Sequence, residues 1–157
     1  LKNDYPGELS VQHYTEFFAD LISSGKLKPG ASVSTEDVYT YHDPCYLGRH
    51  NTVYDAPRQM LKSIPGLNLV EMKKSRDRSF CCGGGDIILW HEIDEEKERP
   101  AELRVKMAKA AGATVMVTAC PFCFIHFEDA IKNVGLENEM RVVDLMHLFM
   151  NGNEDKV

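Results

Sequence analysis

The sequence predicts an α/β domain with a mostly parallel sheet flanked by helices and its cysteine loops gathered at one edge, and three observations predict it. Short runs of β-branched and aromatic residues alternate with amphipathic stretches of about ten residues, which is the pattern of βαβ units. Turn chemistry separates them, as at Lys28-Pro29-Gly30 and Pro65-Gly66. The run Thr114-Val115-Met116-Val117-Thr118 is nearly continuous in apolar character, as a strand buried on both faces has to be.

Residues 1–9 form a polar lead-in, after which Tyr14, Phe17, Phe18, Leu21 and Ile22 fall at helical spacing and Ser23-Ser24-Gly25 ends the helix. Residues 37–42 read as a strand that runs into Asp43-Pro44-Cys45, so it delivers a cysteine at its carboxyl end. Ala56, Met60, Leu61 and Ile64 mark a second helix, with Asp55 as its N-cap and Pro57 in its first turn. Residues 67–72 are a short strand. Phe80-Cys81-Cys82-Gly83-Gly84-Gly85 is a loop, because three glycines have no packing value inside an element. Residues 92–98 read as a solvated charged face. Pro100 opens a helix with Leu103, Met107, Ala110 and Ala111 inward and Gly112 at its end.

The buried strand at 114–118 ends on Ala119-Cys120, and Pro121 starts a helix carrying Phe124, Phe127, Ile131 and Val134. Residues 140–143 are a last strand, and Asp144 caps a closing helix through Leu145, Leu148 and Phe149. In open parallel sheets ligands collect outside the carboxyl ends of the strands. Two cysteine stations fall at such ends and the third in a glycine loop, so all three can meet on one edge.

Length and charge narrow the function. At 157 residues the chain makes one core rather than two. No stretch approaches the roughly 20 apolar residues of a membrane-crossing helix. The net charge of −6, with Lys and Arg scattered, removes the footprint of a nucleic-acid partner. Five cysteines is an odd count, and four of them sit in two close pairs, which points to a reducing, cytoplasmic setting and metal chemistry rather than a disulfide framework. The start at Leu1, without a leader, reads as a piece of a longer parent. A faint echo between Leu1-Lys2-Asn3 followed by Leu9, Val11 and Phe18 and Ile131-Lys132-Asn133 followed by Met140, Val142 and Phe149, with a one-residue slip, suggests that residues 1–30 are a helical lead-in from the tail of a preceding repeat and that 31–157 are the cysteine domain, weighed against a chance match.

The candidate metal ligands are Cys45, Cys81, Cys82, Cys120 and Cys123. Cys120-Pro121-Phe122-Cys123 puts its first thiol at a helix N-cap and its second one turn on, where the dipole and free N–H groups favour thiolate, the metal-binding form. Thioredoxin-like sites, zinc knuckles and clusters all use such a pair. Adjacent thiolates at Cys81 and Cys82 fit poorly onto one tetrahedral ion and suit a multi-metal cluster better. Gly83, Gly84 and Gly85 allow backbone N–H groups to approach cluster sulfurs. A zinc site leaves one thiolate spare, a Cys-x-x-Cys thiol–disulfide exchanger leaves Cys45, Cys81 and Cys82 without a role, and five buried free thiols leave the clustering unexplained.

The pattern Cys-x35-Cys-Cys-Gly-x36-Cys-x-x-Cys, with His42-Asp43-Pro44-Cys45-Tyr46-Leu47-Gly48-Arg49, resembles the cysteine-rich CCG domain of heterodisulfide reductase catalytic subunits and of the iron–sulfur subunits of glycolate oxidase and related oxidoreductases. The resemblance spans about residues 35–150. It implies that the five cysteines ligate a non-cubane [4Fe–4S] cluster used for electron transfer and, in the heterodisulfide reductases, for cleaving a disulfide substrate. It implies further oxidoreductase subunits as partners. Residues 51–58 are similar to the branch whose partner is often a membrane cytochrome b-type subunit, so cytoplasmic placement with membrane association through that partner follows. Family members usually carry two such domains. Asp86-Ile87-Ile88 stands where relatives often continue with glycines and an arginine.

His42, His50, His91 and His126 lie near the cysteine stations and are candidates to donate to a cluster sulfur or carry a proton, each weighed against plain packing. Arg49 is a candidate to attract an anionic substrate or steady a reduced cluster, weighed against a surface ion pair. Trp90 with residues 87–89 reads as core ahead of a partner-facing patch.

Overall fold

The computed structural model describes residues 10–30, 32–85 and 98–152. The expectations for residues 1–9, for 86–88, for Trp90 and His91 and for the charged run up to residue 97 lie outside these residues.

Four parallel strands, β1 (Val38–His42), β2 (Asn68–Val70), β3 (Val115–Thr118) and β4 (Arg141–Asp144), form one sheet in the order β2-β1-β3-β4. Five helices accompany them among the described residues: α1 (Tyr14–Ser23), α2 (Asp55–Ser63), α3 (Pro100–Ala110), α4 (Pro121–Asn133) and α5 (Leu145–Asn151). The α/β fold read from the sequence is the observed one. Side chains alternate across a strand, so Tyr39, Tyr41, Val115 and Val117 face one layer, where Met60 and Leu61 of α2 and Leu148 and Phe149 of α5 pack and α1 adds Tyr14, Phe18 and Ile22. Met116 faces the other layer, made by Ala101, Val105 and Ala108 of α3 and Phe127, Ala130 and Ile131 of α4. The same alternation sends His42 and Thr118, register partners at the carboxyl ends of β1 and β3, toward α3 and α4.

Three expectations change. Asp55 is the first helical residue and not the cap of α2; Tyr54 precedes it without a side-chain cap bond, and Asp55 instead pairs with Arg76 at 2.8 Å. The strand expected at 67–72 keeps only Asn68–Val70, because among the described residues it pairs with β1 alone, at the sheet edge. The inward stripe of α3 is Ala101, Arg104, Val105 and Ala108, whereas Leu103 and Met107 are half-buried and Ala110 is exposed. The small alanines of that stripe pack with Phe127, Ala130 and Ile131 of α4, and Met107 lies partly buried against them. Asp144 caps α5 as expected, accepting from the N–H groups of Met146 and His147 at 2.8 and 3.2 Å.

Candidate metal centre

β1 and β3 lie side by side, yet the chain leaves β1 toward β2 on one edge and leaves β3 toward β4 on the other. That divergence opens a crevice beyond their carboxyl ends, the usual ligand position of open α/β sheets. Cys45 stands three residues past β1 and Cys120 two past β3. The third station, Cys81-Cys82, follows a single 3₁₀ turn, Arg76–Arg78, on the way from β2 to α3.

The structure links Cys81, Cys82, Cys123 and Cys120 in a chain of side-chain contacts and sets Cys45 on cavities that they line. Cys82 and Cys123 are buried with their sulfurs 3.2 Å apart. Cys120 and Cys123 interact through their side chains one helical turn apart. Cys45 shares a small cavity with Cys81 and Cys82, and a larger one, about 420 Å³, with Cys120. Cys45, Cys81 and Cys120 are half-buried and none of the five is in a disulfide. Cys120 is the N-cap of α4 with Pro121 at the first helical position, as the sequence indicated. The loop after the cysteine pair points backbone N–H groups at sulfur: Gly83 donates to Cys81 Sγ and Gly84 to Cys82 Sγ, both at 3.3 Å. Gly83 needs its positive φ of 73° for this turn. Gly84 is pressed against the ring of His126, while Gly85 is exposed and a Cβ there would meet none of the described residues within 4 Å.

The electrostatics follow from this packing. The Cys123 side chain, then the N–H groups of Cys123 and Phe122, pull the Cys120 thiol down to about 6 against the effect of burial. Cys82 is held far below the ordinary thiol range, first by Cys123 and Cys81, with His42 and the Gly84 N–H adding to them and burial opposing. Cys123 is pushed up by donating toward Cys120 and Cys82. Burial lowers the pKa of His42.

Two buried arginines that sequence reading passes over hold the loops. Arg58 of α2 binds Asp43 in a fork, Nη1–Oδ1 at 2.6 Å and Nη2–Oδ2 at 3.0 Å, and also binds Glu71. Asp43 in turn accepts from the backbone N–H of Arg76 at 2.8 Å, which ties the Cys45 station to the segment leading to Cys81. Arg104 of α3 is fully buried and donates to His42, to the Lys74 carbonyl and to Ser79 Oγ. A signal for them exists in the chain: each arginine sits in step with apolar neighbours, Leu61 for one and Ala101, Val105 and Ala108 for the other. Arg49 bridges the first two stations by donating to the Ser79 carbonyl at 3.0 Å. His50 stacks on Tyr46 at the exposed rim, with ring centroids 4.9 Å apart.

The donor set fits a thiolate-held metal group. Sulfur dominates it, the Asp43 carboxylate lining the same small cavity is committed to arginine, and the buried hydroxyl of Thr118 has no hydrogen-bond partner among the described residues although it stands beside His42 at the crevice. An unsatisfied buried hydroxyl is a donor in search of an acceptor. No helix among the described residues is long and apolar enough to cross a membrane.

Comparison with known proteins agrees with the geometry. The CCG cysteine-rich domain matches over residues 39–128. The chain is 40% identical over 150 residues to a probable iron-sulfur-binding oxidoreductase, FadF, of Bacillus subtilis, covering 94% of this chain and 21% of that protein. It is 36% identical over 163 residues to the EtfAB:quinone oxidoreductase of Syntrophomonas wolfei, covering 98% and 22%. It is 41% identical over 138 residues to a subunit of the dihydromethanophenazine:CoB--CoM heterodisulfide reductase of Methanosarcina mazei, covering 88% and 32%. The chain thus spans between about a fifth and a third of the length of these relatives.

Proposed function

The chain belongs to the cysteine-rich CCG domain family, and from that premise we propose that Cys45, Cys81, Cys82, Cys120 and Cys123 ligate one non-cubane [4Fe–4S] cluster that carries electrons within a multi-subunit oxidoreductase. The observation that carries this reading is the meeting of three distant segments at one crevice, with Cys82 and Cys123 in contact and Cys45 sharing cavities with the other stations. The relatives, iron–sulfur oxidoreductases and a heterodisulfide reductase component by name, support the redox assignment. In the same reading residues 31–157 are the cluster domain and residues 1–30 the tail of a preceding repeat.

A bound cluster supplies a one-electron centre. The chain's own residues set its surroundings. Cys82 and Cys123 bury one side, while the N–H groups of Gly83 and Gly84 and the Thr118 hydroxyl offer hydrogen bonds. Cys45, Cys81 and Cys120 leave the other side half-exposed, beside the exposed rings of Tyr46 and Phe122. That side is where a partner subunit, a membrane cytochrome b-type subunit in the branch this chain resembles, would exchange electrons. The 420 Å³ cavity reaching Cys45 and Cys120 supports a second use, in which a disulfide takes up two electrons and two protons to give two thiols.

One further observation favours a rival: the donor atoms of His42, Cys82 and Cys123 lie within 4.8 Å of one another, a trio that suits a single zinc ion. Anaerobic metal analysis and EPR of the full-length protein and of Cys82→Ser separate the two. Loss of about four Fe and of one EPR component in the variant supports the cluster; loss of one redox-silent zinc overturns it. If only Cys120→Ser and Cys123→Ser abolish activity and metal content is unchanged, thiol–disulfide exchange replaces both.

A further inference from the structure

Arg104 is the largest fully buried side chain of the described residues, and none of its hydrogen bonds among them goes to a carboxylate. Its Nε donates to His42 Nδ1 at 3.2 Å, its Nη1 to the Lys74 carbonyl at 2.6 Å and its Nη2 to Ser79 Oγ at 3.3 Å. A guanidinium buried among neutral partners is expensive, and an apolar side chain would pack the same stripe of α3 without that cost. Burial lowers the Arg104 pKa to about 10, which leaves it a cation at neutral pH.

The Nε of arginine carries a hydrogen and has no lone pair to offer. His42 Nδ1 therefore has to present its lone pair to Arg104, and the ring's single proton goes to Nε2. An imidazolium is disfavoured by the same geometry, since its Nδ1–H would face the guanidinium N–H. The ring cannot easily turn over: β1 sends it toward α3 and α4, and Phe127 packs against it edge-on, with centroids 4.6 Å apart and planes at 77°. The ring also lies against Cys82 and Cys123, and with Nδ1 taken by Arg104 the nitrogen left to serve sulfur is Nε2.

We propose that Arg104 is a positioning residue that fixes His42 as its Nε2–H tautomer, so that His42 donates a hydrogen bond to the Cys82 sulfur and is not itself a metal ligand. The proposal rests on the cluster reading above, in which Cys82 is a ligand. A hydrogen bond to a ligand sulfur favours the more electron-rich reduced state, and the buried guanidinium behind the ring favours it further, so the pair raises the reduction potential.

The test uses cluster-loaded full-length protein with ¹⁵N-labelled histidine, read by pulsed EPR for nitrogen coupling and by redox titration. A weak ¹⁵N coupling is expected in the wild type and is lost in His42→Gln, whose side-chain amide keeps a donor near the Nε2 position and holds the potential close to wild type. His42→Leu removes the donor and should make reduction about tenfold less favourable, 59 mV more negative for one electron. Arg104→Met should weaken the coupling and move the potential the same way. A strong coupling of direct ligation, or an unchanged potential in His42→Leu, overturns the proposal. Should Arg104→Met fail to fold, the wild-type spectrum and the two His42 variants still decide. A wild type that assembles no iron–sulfur cluster at this site sinks the parent reading instead, which keeps the two failures apart.

Discussion

Replacing Arg58 by methionine tests whether the buried ion pair holds the metal-binding edge together. Asp43 and Arg58 are almost wholly enclosed, with side chains 1% and 3% exposed. The substitution removes both forked bonds to Asp43, two to Glu71 and one to the Tyr54 carbonyl. Glu71 is 41% exposed and recovers water, so its share stays at the level of a surface pair, about 0–1 kcal/mol. Asp43 has no such recourse. Its carboxylate is left with the Arg76 N–H as its remaining hydrogen-bond donor among the described residues, and stranding one member of a buried pair costs about 3–5 kcal/mol. Asp43 therefore dominates the loss. For a domain of this size about 2–4 °C of Tm follows each kcal/mol, so a fall of about 6–20 °C is expected. Thermal unfolding of the intact protein, with Arg58→Met, Asp43→Asn and the double variant, provides the assay. The double variant should lose clearly less than the sum of the singles, because each single change already breaks the shared fork. A loss below about 1 kcal/mol in Arg58→Met, or strict additivity in the double, would mean that the pair does not hold this edge, since either is the behaviour of exposed pairs.

Gly84→Ala should lower metal occupancy while leaving the helical content unchanged, because its new Cβ would stand 2.7 Å from His126 Cδ2 and push the loop carrying Cys82 away from α4; adding His126→Ala should restore occupancy, and metal analysis of the single and double variants checks both. Acid stability should depend on Asp37, whose pKa is lowered chiefly by its hydrogen bond with Arg141, 2.8 Å away. A carboxylate depressed in the folded state stabilises fully above its unfolded pKa of about 3.9 and loses that contribution as pH falls from there through the folded value. Denaturant unfolding at pH 6 and at pH 3 should therefore show a smaller drop in Asp37→Asn than in the wild type, and an equal drop would count against the pairing.

The order of elements and the three cysteine stations are legible along the chain. Both are local facts: a β-branched run, a glycine stop, a proline at a helix start and a thiol beside each. The arginines are legible too, but not their burial. Periodicity places Leu103 and Met107 inward on α3, whereas the stripe runs one residue later, through Arg104. Charge normally outvotes spacing in such a reading, because a lone buried cation is costly. What reverses that vote is a partner far along the chain, Asp43 fifteen residues before Arg58 and His42 sixty-two before Arg104. The sheet order belongs to the same class. Only the assembled structure sets β1 beside β3, with their connections running to opposite edges, and so opens the crevice where Cys45 and Cys120 meet. A chain read residue by residue reports its neighbours in sequence; which groups share a low-dielectric interior, and therefore which charges can be kept there, is decided only when distant segments pack.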